Sequence, residues 1–235
     1  LKLGGLNRIE NKIITYSGKA LNVAIGVARL GGDSFATGFM FNDNGKMFVH
    51  TLDDENVKNT FVWNNGSART NYKIVDKRAM MTEINDKGEN VSQEKQAELV
   101  SLVGELSKSA SVAVMSGSLP SGVGDDYYLK LISAVPKTTK IILDTSGNKM
   151  IAGLRGGAYL IKPNLDELQE MTGEHYDSFD EMITGCEKLI EAGAENVMLS
   201  LGRKGAILTD GDKAYFCKSA TVAVNSTVGA GDGMV

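Results

Sequence analysis

The run Asn225-Ser226-Thr227-Val228-Gly229-Ala230-Gly231-Asp232 places a carboxylate directly after three small residues. Ahead of it, Ala220-Thr221-Val222-Ala223-Val224 reads as a strand, so the backbone N–H groups of Gly229, Ala230 and Gly231 fall at a strand-to-helix turn where they can converge on an anion. A carboxylate there repels a phosphate that is merely bound. It suits a base that takes the proton from an alcohol attacking that phosphate, which makes Asp232 a candidate for phosphoryl transfer. The plainer alternative is an acidic residue that only favours the positive end of a helix.

The elements that must position this run are legible from residue 93 onward, where strands and helices alternate as in a parallel sheet covered on both faces. Ser92 caps a helix to about Leu106; Val112 to Met115 is a strand; a helix starts near Asp125; Lys140 to Leu143 is a strand ending at Asp144. A short helix, the strand Tyr159-Leu160-Ile161 and a helix opened by Lys162-Pro163-Asn164 follow. Ser178-Phe179-Asp180-Glu181 is a capping box, and Asn196 to Leu201 is a strand leading into Gly202-Arg203-Lys204-Gly205 and two short strands. Before residue 93 the pattern differs. After one helix, Ala20 to Leu30, the runs Thr60 to Trp63, Arg69 to Val75 and Met80 to Ile84 come without helices between them, which predicts a small antiparallel flap or lid.

Ligands of an open α/β sheet collect beyond the C-terminal ends of its strands, and each strand end here is polar or rich in glycine. Ser116 to Pro120, Asp144 to Gly147, Lys162 to Asn164, Ser200 to Gly205 and Thr227 to Asp232 would line one rim. Taken singly, each has a structural alternative: Asn164 with Glu167 fits a helix N-cap and its reciprocal glutamate, Asp144 could cap a turn, and Gly202 to Gly205 could be a hairpin. Two other motifs fail. Gly45-Lys46 is followed by Met47 and its nearest upstream glycine, Gly38, is out of step for a P-loop; Met234 occupies the third glycine position of a dinucleotide fingerprint begun at Gly229.

The bulk composition sets limits. With 235 residues, 42% hydrophobic and 23% charged, the chain can bury one large α/β core. A net charge of −4 without a basic run argues against a nucleic-acid surface. No apolar stretch approaches a membrane span and the start of the chain lacks signal-peptide regions, so no membrane partner and a cytoplasmic location are expected. Cys186 and Cys217 are expected to be buried thiols, and His50 and His175 have no partner at ligand spacing.

Together with Ser17-Gly18-Lys19-Ala20-Leu21-Asn22-Val23-Ala24, Ser116-Gly117-Ser118-Leu119-Pro120 and Lys162-Pro163-Asn164-Leu165-Asp166-Glu167-Leu168, the Gly229 to Asp232 run resembles the ribokinase-like (PfkB) carbohydrate kinases. More narrowly it is similar to the branch holding 1-phosphofructokinase and tagatose-6-phosphate kinase. The resemblance implies one ribokinase-like α/β domain over residues 1–235: a mostly parallel sheet with helices on both faces and antiparallel lid strands from about 1–16 and 58–86. It implies ATP and Mg²⁺ as cofactors and a sugar phosphate as the small-molecule partner, with a homodimer through the lid. Asp232 would be the base and the N–H groups of Gly229, Ala230 and Gly231 the anion cradle. Asn164 and Glu167 would organise Mg²⁺ through water; Lys162, Ser200, Gly202, Gly205 and Thr227 would lie on the nucleotide side. Gly18, Lys19, Asn22, Arg69 and Ser118 would meet the sugar phosphate, two cations suiting a phosphorylated acceptor.

Ser17 and Ala20 depart from the glycines common in this branch. The chain also opens inside what resembles the first lid strand and stops within the anion-hole helix, so it is expected to be incomplete at both ends. The expected reaction carries the γ-phosphoryl to a ketohexose monophosphate, D-fructose 1-phosphate first and tagatose 6-phosphate second. The alternative of another class is a catalytically silent nucleotide or sugar-phosphate sensor, in which a base at Asp232 would have no use.

Overall fold

The computed structural model describes residues 4–76, 80–220 and 231–235. The first helix, α1, spans Lys19–Arg29 and opens at Gly18 without a side-chain cap. Then come β1 (Phe35–Ala36), β2 (Phe39–Phe41), α2 (Gly45–Asp54), β3 (Lys58–Asn59) and β4 (Val62–Asn64). Strand β1 pairs in parallel with β3, and β2 with β4, so α2 is the crossover that parallel pairing demands.

This corrects the reading of residues 58–64 as lid and of the N-terminal part as holding a single helix. Strands of two or three residues are too short to show a period, and the polar flank Asn42 to Asn44 hides the start of α2. Leu52 of α2 is fully buried, and Phe48 and Val49 pack beside it against the cluster of Ala24, Ala36, Met40, Val57 and Phe61. The antiparallel hairpin is β5 (Asn71–Val75) with β6 (Met81–Asn85), Tyr72 facing Ile84 and Lys73 facing Glu83. Residues 4–16 carry no strand.

Helix α3 (Gln93–Ser107) is capped by the Ser92 side chain, as its sequence predicts. It is followed by β7 (Val112–Ser116), α4 (Tyr127–Ala134), β8 (Lys140–Asp144), α5 (Asn148–Leu154), β9 (Leu160–Ile161), α6 (Leu165–Thr172), α7 (Phe179–Glu191) and β10 (Val197–Ser200). A short 3₁₀ turn at Gly202–Lys204 joins β10 to β11 (Ala206–Thr209), and β12 (Ala214–Cys217) completes a six-stranded sheet of order β12-β11-β10-β9-β8-β7. Strands β7 to β10 are parallel; β11 and β12 run antiparallel.

Helices covering both faces explain the unbroken apolar runs of the middle strands. Leu143, Ile161, Val197 and Leu199 are each 0% exposed, and Tyr127, Met150, Leu154, Leu168 and Cys186 close over them. Both capping boxes form: Asn164 with Glu167 opens α6, and Ser178 with Glu181 opens α7. Among the described residues no helix is long and apolar enough to cross a membrane.

The two thiols differ, which corrects the expectation that both are buried. Cys217 ends the edge strand β12 and is exposed; Cys186 lies in the core, where burial pushes its thiol up to about 12. At pH 8 a disulfide reagent should therefore modify Cys217 rapidly and Cys186 only after denaturation. Rapid native modification of both thiols would contradict the packing of α7 on the sheet.

Candidate active site

The parallel strands end along one edge of the sheet, so β7, β8, β9 and β10 bring Ser116, Asp144, Lys162 and Ser200 to a common rim. Ser116 stands directly opposite Asp144 in the β7–β8 register. Its hydroxyl donates to Asp144 Oδ2 at 2.9 Å. Asp144 is 1% exposed, a position in which a carboxylate needs charged partners. It has two: Lys162 Nζ lies 3.4 Å from Oδ1 and Lys19 Nζ 3.5 Å from Oδ2. Lys162 is itself buried, whereas Lys19 is partly open to solvent.

The same turn of α1 that carries Lys19 carries Asn22, one helical row further on. Asn22 Nδ2 donates to Asp232 Oδ2 at 2.8 Å, and Asp232 opens the C-terminal 3₁₀ turn Asp232–Met234. Next to it, a Cβ placed on Gly231 would lie 3.6 Å from Lys162 Nζ. One helix thus ties together the two carboxylates, and the ammonium groups of Lys19 and Lys162 each approach a different oxygen of Asp144.

A second group of residues adjoins through β10. Asn164 and Ser200 bridge in parallel, and the Ser200 N–H and hydroxyl both donate to Pro163 O, at 2.9 and 3.3 Å. They border a depression of about 210 Å³ lined by Asn164, Leu165, Asp166, Ser200, Leu201, Gly202 and Lys204. Gly205 adopts φ +117°, and a Cβ there would fall 2.0 Å from Cys217 O, so the turn itself demands glycine. Asn164 Oδ1 accepts from Glu167 N and Glu167 Oε2 accepts from Asn164 N, each at 2.9 Å. Among the described residues the other oxygen of Glu167 takes no hydrogen bond.

The predicted residues therefore divide. Lys19, Asn22, Lys162, Gly231 and Asp232 come together around Asp144, and Asn164, Glu167, Ser200 and Gly202 form the adjoining group. Ser118 is exposed in the turn after β7, and Arg69 is exposed before β5, its side chain lying against Gly88. Thr227, Gly229 and Ala230 lie outside the described residues. Sequence reasoning placed Asp144 on the rim with a turn cap as the alternative, because nothing local distinguishes a buried ion-pair hub from a capping aspartate. Asp166 and Lys204 in the depression lie within the quoted Lys162 to Leu168 and Ser200 to Gly205 runs but were given no role of their own.

Residues 4–235 match the profile described as pfkB family carbohydrate kinase. The chain belongs to the pfkB family of carbohydrate kinases. This kinase is similar to 1-phosphofructokinase of Borreliella burgdorferi (strain ATCC 35210 / DSM 4680 / CIP 102532 / B31), 32% identical over 98% of this chain and 75% of that one. It is 32% identical to 1-phosphofructokinase of Escherichia coli (strain K12), over 100% of this chain and 76% of that one. In fold it resembles the tetrameric inhibited form of phosphofructokinase-2 from Escherichia coli, with a TM-score of 0.89 and 29% identity, covering 100% of this chain and 78% of that one. As a carbohydrate kinase it is a phosphotransferase with an alcohol acceptor.

Asp144→Ala in this pfkB-family kinase would leave the buried Lys162 ammonium without its counter-charge. It should lower the free energy of unfolding in urea by about 3 kcal/mol. A loss below about 1 kcal/mol would show that Lys162 reaches water or another acceptor.

Proposed function

We propose that this kinase transfers the γ-phosphoryl of ATP to D-fructose 1-phosphate, giving fructose 1,6-bisphosphate. The observation that carries the reading is the Asn22–Asp232 contact beside the Lys19–Asp144–Lys162 cluster, which puts a base candidate and two phosphate-seeking cations at one point. The relatives named 1-phosphofructokinase support that acceptor.

In this reading Asn22 holds one oxygen of Asp232 and leaves the other to receive the proton of the attacking sugar hydroxyl. Lys162 and Lys19 offset the charge spread over the transferring phosphoryl, and the N–H groups of Gly229, Ala230 and Gly231 form the cradle beneath it. Gly18 lies with Lys19 at the start of α1, on the side of the acceptor. Arg69, exposed and without an ion-pair partner among the described residues, grips the phosphate that the acceptor already carries, and Ser118 meets its hydroxyls.

Lys19 and Lys162 already face Asp144, so they offset only part of the phosphate charge and a nucleotide polyanion must bring further counter-charge. Among the described residues no group of three or more His, Cys, Asp or Glu could hold a metal. The unengaged oxygen of Glu167 is a donor suited to Mg²⁺ that keeps most of its waters and phosphate ligands. Glu167 and Asn164 would hold it through water, and when bound it would neutralise phosphate charge. Ser200, Gly202, Gly205 and Thr227 complete the nucleotide side.

Release of ADP with Mg·ATP should be fastest with fructose 1-phosphate when fructose 6-phosphate, tagatose 6-phosphate and free fructose are compared. Fructose 6-phosphate is the informative rival, because phosphofructokinase-2 from Escherichia coli, 30% identical with a TM-score of 0.82, has been solved with that sugar. Asp232→Asn should lower kcat about 10²- to 10⁴-fold with ATP affinity retained, and Arg69→Ala should raise the sugar-phosphate KM. ATP binding without turnover of any acceptor would favour the sensor.

The β5–β6 hairpin presents Tyr72 and Ile84 on one face, 56% and 53% exposed, and we propose that a second copy of the chain covers it. Ile84→Lys should then sediment as a smaller species than the unaltered protein. Equal sedimentation of the two would rule this face out.

A further inference from the structure

The Ser116-Gly117-Ser118 turn is fastened to the next strand by more hydrogen bonds than the β ladder requires. Ladder geometry accounts for Gly117 N donating to Asp144 O at 3.1 Å. Two further hydroxyls, both buried, converge on the opposite side of that residue: Tyr128 OH donates to Gly117 O at 2.8 Å, and Thr145 Oγ1 donates to the same oxygen at 3.0 Å. Tyr128 is 5% exposed and Thr145 3%. Neither hydroxyl is part of the cluster around Asp232.

A carbonyl oxygen has two lone pairs, and here both are engaged by donors fixed in the core. In a trans peptide the following N–H points opposite to the C=O, and no cis peptide bond occurs among the described residues. Holding Gly117 O inward therefore turns the Ser118 N–H outward, toward the rim. Ser118 is exposed, and its N–H has no hydrogen-bond partner among the described residues. Gly117 sits at φ +112°, a conformation that L side chains rarely adopt, so the turn depends on a glycine held by outside contacts. Burial, with the Asp144 charge as a smaller cause, pushes the Tyr128 phenol up, and it remains a donor throughout the working pH range.

We propose that Tyr128 and Thr145 are positioning residues for the acceptor: by pinning the Gly117 carbonyl they aim the Ser118 N–H at the hydroxyls of the sugar phosphate. This rests on the functional reading above, in which Ser118 meets the acceptor. In this reading neither residue touches substrate; Thr145 falls in the Asp144 to Gly147 rim segment without a role of its own there, and Tyr128 in no segment that the sequence marks. On the nucleotide side, Asn164 and Ser200 share no hydrogen bond with Gly117.

The test compares steady-state kinetics of the full-length protein with Tyr128→Phe, Thr145→Val, the double variant and Thr145→Ser, each with fructose 1-phosphate and ATP varied in turn. Each single change should raise the KM for the sugar phosphate about 3- to 10-fold, as expected for one net hydrogen bond, with the KM for ATP unchanged. The double variant should lose more than either single one, and Thr145→Ser, which keeps the hydroxyl, should restore the unaltered value. A sugar-phosphate KM that stays constant while only the melting temperature falls overturns the proposal, as does an equal rise in both KM values. If the unaltered protein turns over none of the ketose phosphates, the functional reading fails and this inference with it. Active unaltered protein with indifferent variants overturns the inference alone.

Discussion

The Asp144 carboxylate, closed off from water at the end of β8, is the constraint on which the site depends. A buried carboxylate is tolerable only when its charge and its lone pairs are matched, and here a hydroxyl and two ammonium groups do the matching. Each partner comes from a different element: Ser116 from β7, Lys162 from the end of β9 and Lys19 from α1. Satisfying one charge therefore fixes the relative positions of three segments. The same contacts hold two cations on one carboxylate, an arrangement that suits the phosphate chemistry proposed for the site.

The sheet supplies the precision this arrangement needs. Parallel strands buried on both faces are rigid, and their ends are held in register by the β7–β8 and β8–β9 ladders. Residues just past the strand ends thereby inherit defined directions without being part of the core. Helix α1 extends the effect, because Lys19 and Asn22 share one face and reach Asp144 and Asp232 respectively. Ser200 shows the same economy in the backbone: its N–H and hydroxyl both hold Pro163, so the loop after β10 and the start of α6 move as one unit.

The capping residue Asn164 illustrates how a structural role and the proposed functional one can share a side chain. Its amide oxygen is committed to the first turn of α6, and Glu167 commits one oxygen in return. The cap is compatible with the proposed role because Asn164 Oδ1 keeps a second lone pair and Glu167 its other carboxylate oxygen, both able to accept from metal-bound water. Gly205 is the contrasting case, where close approach of Cys217 O accounts for the glycine without any ligand.

Much of the C-terminal half was legible in the amino-acid sequence, since long helices with capping boxes and apolar strands carry periods and end signals that local physics enforces. Asn164, Ser178 and Ser92 cap the helices they were expected to cap. The Gly229 to Asp232 run was visible as residue types suited to phosphate chemistry, whereas Lys19, Asn22 and Lys162 were singled out by the family resemblance. Tertiary structure alone decided the rest. The strands β1 to β4 are too short to announce themselves and exist because α2 and its cluster hold them. Asp144 became a hub, Tyr128 and Thr145 became a clamp on Gly117, and Cys217 became exposed through contacts between residues far apart in the chain. Residue type and spacing specify local conformation, whereas which buried charge faces which partner depends on how separate elements pack, and that is settled only in three dimensions.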